Sequence, residues 1–169
     1  MPSDIKPVRK LDRIDRQILH ELQQDGRISY VNLARKVNLS TSPCLERVRR
    51  LEQDGFITGY TAILDPEKLN AGLTIFVELS LTYTSGEVFE EFKEAVASWP
   101  QIQECHMVSG GFDYLLKIRI EDISSYRQLL GEILHKLPGV RDSRSLIVVE
   151  TLQESTNIQI SPEPSIPNR

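Results

Sequence analysis

Cysteine is scarce in this chain of 169 residues: Cys44 and Cys105 are its two, far apart in sequence. A pair so isolated builds neither a disulfide framework nor a thiolate metal cluster, so both are expected to be buried thiols. No apolar run approaches the roughly 18 residues of a membrane span, and Met1-Pro2-Ser3-Asp4-Ile5-Lys6 lacks the apolar core of a signal peptide. The expectation is a cytoplasmic protein that makes no membrane contact. His20 and His135 each stand alone on a predicted helix, with no second ligand at metal spacing, so no metal is expected. Phosphate-cradling glycine loops and dinucleotide fingerprints are missing too. Cys105 and His106 are adjacent, but neighbours on a strand point to opposite faces and cannot share a proton. The chain therefore reads as a non-enzyme without a cofactor.

What is present is ordinary globular material, 40% hydrophobic and 26% charged, sized for one or two domains. The net charge of −4 speaks at first against a polyanionic partner. The distribution reverses that impression. Residues 6–50 carry eleven Lys and Arg against five Asp and Glu, whereas residues 71–169 carry eight against fourteen. A basic front joined to an acidic back suits a chain that meets phosphate with one part only.

Residues 1–10, Pro-punctuated and basic, read as a mobile arm. A first helix begins after Asp12, with Ile14, Ile18, Leu19 and Leu22 on one face and Gly26 as its stop. Ser29 caps a short second helix whose apolar positions are Val31, Leu33, Ala34 and Val37. Asn38-Leu39-Ser40 turns the chain into a third helix that ends at Asp54-Gly55. On the third helix Cys44, Val48 and Leu51 share a face, while Ser42, Glu46, Arg49 and Arg50 lie opposite. Pro43 fits its first turn, with Ser40 or Ser42 as the capping oxygen.

A three-residue turn between the second and third helices, a small Ala34 and a left-handed-tolerant Asn38 make this a helix-turn-helix from Tyr30 to Arg50, the later helix entering the major groove of double-stranded DNA. Ser40, Thr41, Ser42, Pro43 and Glu46 lie along its leading face, the hydroxyls meeting phosphates or base edges. Arg47, Arg49 and Arg50 reach phosphates or guanine. The plainer alternative is a three-helix bundle with a solvated arginine face. Phe56 to Leu64 alternates like a strand and is expected to form a small wing, followed by a hinge over residues 65–72. The DNA-binding domain spans 11–64.

The composition changes at Leu73. Leu73, Ile75, Val77, Leu79, Leu81 and Tyr83 alternate with polar or larger residues, as in a strand packed on one face. A helix from about Glu87 buries Phe89, Phe92 and Val96 and stops at Trp99-Pro100. Strands Ile102–Val108 and Phe112–Ile120 follow, joined by Ser109-Gly110-Gly111 as a tight hairpin. A helix from Ser124 to Leu137 and a last strand, Val140 to Leu152, complete the order βαββαβ. The whole is an α+β chain, a winged helix-turn-helix domain followed by a ferredoxin-like domain over 73–153. Residues 154–169 read as a flexible tail.

The segments LDRIDRQILHELQQDGRIS, PCLERVRRLE, GFITGYTA, IQECHMVSGGFDYLLK and LPGV resemble the Lrp/AsnC, or feast/famine, family of bacterial transcriptional regulators. The resemblance runs from Leu11 to about Glu150. It implies a second domain of the RAM type that senses a small amino acid such as leucine, forms homodimers and assembles further, often to octamers. It also implies activation or repression of amino-acid metabolism. Three places depart from the family's common text: Asn38 stands where glycine is frequent, Ser40-Thr41-Ser42-Pro43 replaces Ser-Pro-Thr-Pro, and Gly110-Gly111-Phe112-Asp113 replaces Gly-Asp-Phe-Asp. An architectural, DNA-wrapping protein with little effector response is the alternative.

An amino acid offers a carboxylate that suits backbone N–H groups and an ammonium that suits a carboxylate. Gly110-Gly111 with Asp113 supplies both, although a structural turn held by Asp113 accounts for the same text. From the resemblance, the pocket lies between hairpins of adjacent dimers. Met107, Val108, Ser109 and Phe112 would lie nearby, and Leu146, Ile147 and Val148 would serve as an apolar wall.

Overall fold

The computed structural model describes residues 9–82 and 86–160. The expected arm up to residue 8, Tyr83, the tail beyond 160 and the side chain of His135 lie outside the described residues. The chain divides into two compact units, one of residues 1–63 with 155–169 and one of residues 64–154.

In the first unit, α1 (Arg13–Gln24), α2 (Tyr30–Lys36) and α3 (Thr41–Gln53) pack around a buried cluster of Ile18, Leu33, Ala34, Val37, Cys44, Val48 and Leu51. Each helix starts where a polar side chain can precede it. Asp12 accepts from Asp15 N–H at 2.8 Å while the Asp15 carboxylate reaches back to Asp12 N–H at 3.4 Å, closing a capping box on α1. Ser29 accepts from Asn32 N–H on α2. Ser40 occupies the cap position of α3 but makes no side-chain cap bond, and Pro43 sits in the first turn as its fixed φ requires. Asn38 turns the chain with φ 56°, and Leu39 N–H closes that turn on Ala34 O at 2.9 Å. Gly55 ends α3 at φ 76°, a conformation a side chain would strain.

Two expectations fail in this unit. Val31 is exposed, because on so short a helix Leu33, Ala34 and Val37 already fill the inward face. The wing is missing as a strand: after Phe56 and Ile57 pack on the core, residues 57–65 run without a sheet partner among the described residues. Tyr60 instead donates its hydroxyl to Glu52 at 2.9 Å, fastening the segment to α3. Sequence pattern also missed a clasp where it suggested only a loose tail. Ile158 N–H donates to the Gln23 side-chain oxygen at 2.7 Å, and Ile158 O accepts from the Gln23 amide at 3.1 Å.

The second unit begins with one 3-10 turn (Glu67–Leu69), then β1 (Leu73–Leu81), α4 (Gly86–Ala97), β2 (Ile102–Met107), β3 (Tyr114–Ile120), α5 (Ile123–Lys136) and β4 (Val140–Ile147). The sheet order is β2-β3-β1-β4, antiparallel throughout, which is the expected split βαβ topology. Alternation along β1 sends Ile75, Val77, Leu79 and Leu81 to the helix-covered face, where they meet Leu116, Ile118, Phe92, Tyr126, Leu129 and Ile133. Tyr114 stacks on Phe92 with centroids 4.3 Å apart. Asp122 caps α5 by accepting from Ser125 N–H at 2.7 Å.

The edge strands carry the surprises. Cys105 is exposed rather than buried, since β2 has a neighbour on one side only. β4 stops at Ile147 rather than Leu152, and its apolar run faces solvent: Leu146 and Ile147 are exposed and Val149 is 99% accessible.

Candidate functional site

Two places collect the predicted site residues, one in each unit. On α3, burial of Cys44, Val48 and Leu51 forces Thr41, Ser42, Pro43, Glu46, Arg49 and Arg50 outward, and all six are exposed. Ser40 is exposed just ahead of them. The result is a ridge with free backbone N–H groups and hydroxyls at its start and two guanidinium groups toward its end. That combination matches a phosphate-lined groove.

Arg47 is a correction. It turns inward and bridges α3 to the start of α1, with Nη1 2.6 Å from Asp12 Oδ2 and 2.8 Å from Asp15 Oδ1. The cause is Asp15, whose side chain is 0% exposed and needs cations around it; Arg9 supplies a second, 3.0 Å away, while also holding Asp54 at 2.9 Å. Burial pushes the Asp12 carboxyl up, but the hydrogen bonds from Asp15 N–H and Arg47 outweigh it and hold the group below its ordinary value. The hydrogen bond to Asp12 in turn raises Arg47 above its own. Arg47→Ala is therefore expected to lower the melting temperature of the first unit, by about 1–3 kcal/mol of stability, while leaving the salt dependence of DNA binding unchanged. Thermal unfolding and a salt titration of the mobility shift check the two halves of that statement. An acidic residue three positions after Asp12 signals the capping box, but not the approach of Arg47 from 32 positions away.

The loop between β2 and β3 is not a tight hairpin. It takes six residues, 108–113, and neither Gly110 nor Gly111 adopts positive φ among the described residues. The loop is fastened to β1 instead. Asp113 N–H donates to Leu79 O at 2.9 Å, Asp113 O accepts from Val108 N–H at 3.0 Å, and Asp113 Oδ2 accepts from Leu81 N–H at 2.7 Å. One carboxylate oxygen is thus engaged in structure. Met107, Ser109, Gly110 and Gly111 are exposed around it, Met107 at 61%, with Val108 and Phe112 half-buried.

Leu146, Ile147 and Val148 are not brought to this loop. Met107 pairs with Tyr114 on one edge, whereas Leu146 pairs with Phe76 on the other. From the strand spacings the separation is roughly 14 Å across the sheet and 10 Å along it. Within one chain the proposed ligand wall and ligand loop lie at different corners.

On the sheet face away from the helices, Lys117 pairs with Glu104 at 3.1 Å and with Glu154, which also holds Arg119. The hydrogen bond from Lys117, then that from Arg119, keeps the Glu154 carboxyl below its usual range. Partial desolvation raises the Cys105 thiol above its ordinary value, the wrong direction for a nucleophile. Among the described residues no cluster of His, Cys, Asp and Glu is arranged to hold a metal ion, and no helix is long and apolar enough to cross a membrane.

Both units match family models: an AsnC-type helix-turn-helix domain over residues 11–52 and an Lrp/AsnC ligand binding domain over residues 74–158. The chain belongs to the Lrp/AsnC family of transcriptional regulators. The leucine-responsive regulatory proteins of Klebsiella pneumoniae and Escherichia coli K12 are each 57% identical to it over 158 residues, covering 94% of this chain and 96% of theirs. An AsnC family transcriptional regulator from Agrobacterium tumefaciens superposes with a TM-score of 0.85 at 36% identity, covering 88% of this chain and 97% of its own. A regulator from Neisseria meningitidis, solved as a complex with L-methionine, superposes at 0.84 with 34% identity, covering 89% and 97%. In this Lrp/AsnC chain the helix-turn-helix precedes the ligand-binding domain along the sequence.

Proposed function

We propose that this Lrp/AsnC protein binds double-stranded DNA sequence-specifically through the exposed ridge of α3, and that an amino acid such as leucine or methionine, held at loop 107–113, modulates that binding. The observation that carries the first half is the segregation on α3: every apolar side chain that reaches the core lies opposite Ser42, Glu46, Arg49 and Arg50. Residues 11–64 form the DNA-binding part, 65–72 the hinge and 73–153 the effector-binding and oligomerisation part. The exposed apolar edge at Leu146, Ile147 and Val149 favours homodimers and larger assemblies, because a second copy would remove it from water. The cytoplasm is where such a protein meets its DNA.

Arg49→Ala tests the ridge. If Arg49 reads a base, DNA affinity falls by about 1–3 kcal/mol and discrimination relaxes at one position. If it meets phosphate, the salt slope flattens by about one unit. A mobility-shift series unchanged in both respects removes Arg49 from the interface. The architectural reading draws support from one observation, the commitment of an Asp113 oxygen to Leu81.

A further inference from the structure

Past α3 the chain is held to the first unit by few contacts. The N–H groups of Phe56 and Ile57 both donate to Leu51 O, at 2.9 and 3.2 Å, and the two side chains rest on the core. Residues 58–64 are then exposed and have no sheet partner among the described residues. Within this run one side chain turns back. The Tyr60 hydroxyl donates to Glu52 Oε1 in the last turn of α3, and the Tyr60 ring comes within 3.8 Å of the point where a side chain on Gly26 would begin, in the turn after α1. Tyr60 thus touches the ends of two helices, and residues 61–64 make no hydrogen bond among the described residues. It is the last fixed point before residues 65–72. Since 52% of Tyr60 stays in water, the core of the unit does not depend on it.

We propose that Tyr60 fixes the point at which the linker leaves the DNA-binding domain and thereby sets which spacing of paired half-sites is accepted, a role that rests on the reading of this chain as a dimeric DNA-binding protein. Two recognition helices meet the same face of a duplex only when their half-sites lie whole turns of about 10.5 base pairs apart. With Tyr60 seated, the free tether starts at residue 61; with Tyr60 released, it starts at residue 58. The added residues extend each head's reach by roughly 10 Å, at about 3.3 Å per residue. Over two heads that exceeds the roughly 17 Å by which a half-turn offset of about five base pairs displaces a half-site. A dimer then reaches an offset site only by giving up the Tyr60 contacts, and its penalty for wrong spacing is theirs.

The full-length protein is assayed by mobility shift on duplexes that carry two inverted copies of a half-site, obtained by in vitro selection with the parent, their spacing increased one base pair at a time through a full turn. A duplex with a single copy is the control. The parent favours in-phase spacings over half-turn offsets. Tyr60→Ala lowers that ratio by about fivefold or more, as expected for loss of one exposed hydrogen bond, while binding to the single copy holds. Glu52→Gln keeps an acceptor oxygen and retains the parent's ratio. Tyr60→Phe and Glu52→Ala break the hydrogen bond alone and lower the ratio too, which decides the matter if Tyr60→Ala fails to fold. An unchanged ratio in the variants that lack the bond overturns the proposal. So does an equal loss on the single copy, which would make Tyr60 a DNA contact or a support of the core. A parent that selects a sequence yet ignores spacing overturns it while the DNA-binding reading stands; a parent that selects no sequence removes both.

Discussion

Replacing Asp15 with Ala is expected to destabilise the first unit by about 3 kcal/mol, the lower part of the range for removing one partner of a buried ion pair. Asp15 is fully buried, yet both arginines that serve it keep about a third of their side-chain surface in water, which limits the cost of stranding them. The same substitution opens the capping box on α1 and frees Arg47 from half of its anchorage. For a unit of this size, total stability is on the order of 3–9 kcal/mol. A loss of about 3 therefore leaves a large unfolded fraction near physiological temperature, and DNA binding goes with it. Thermal unfolding monitored in both units should show one transition moving down by several degrees while that of residues 64–154 holds still. Coincident movement of both would mean that Asp15 supports more than its own unit.

At Asp113 the expected result separates two roles. Alanine removes the acceptor for Leu81 N–H, a buried donor, and leaves the backbone bond from residue 113 to Leu79 O as the loop's remaining fastening to β1. Asparagine keeps an acceptor oxygen there and removes only the charge. If the carboxylate meets an effector's ammonium, Asp113→Asn loses about tenfold or more in effector affinity while the loop stays ordered, because a charge-assisted hydrogen bond contributes roughly 1.5–3 kcal/mol. If Asp113 is a strut alone, asparagine behaves as the parent and only alanine abolishes the response. Calorimetry with L-leucine on all three proteins distinguishes the cases, with DNA affinity unaltered throughout.

Much of the fold was legible because its signals are local. The caps Asp12 and Ser29, the left-handed Asn38 and the two-residue alternation of β1 each follow from nearest-neighbour chemistry, and the family text agreed with them. What the sequence hid depends on contacts between distant residues. Arg47 looked like its exposed neighbours Arg49 and Arg50 until the buried carboxylate of Asp15, 32 positions away, claimed it. Phe56 to Leu64 had the alternation of a strand, but alternation cannot say whether a partner strand exists, and here none does among the described residues. The glycines of loop 108–113 suggested a tight turn, whereas the backbone of Asp113 is held by β1, a strand more than thirty residues earlier.

The placement of Met107–Asp113 and Leu146–Val148 at separate corners of one sheet has a thermodynamic side. An effector that touches both can do so only across two chains, so its apparent affinity must rise with protein concentration. By reciprocity, the same molecule must promote the contact that completes its site. Dose-response curves measured at two protein concentrations would then not superimpose. In the cell, the quantity such a regulator senses would be a product of effector level and its own abundance.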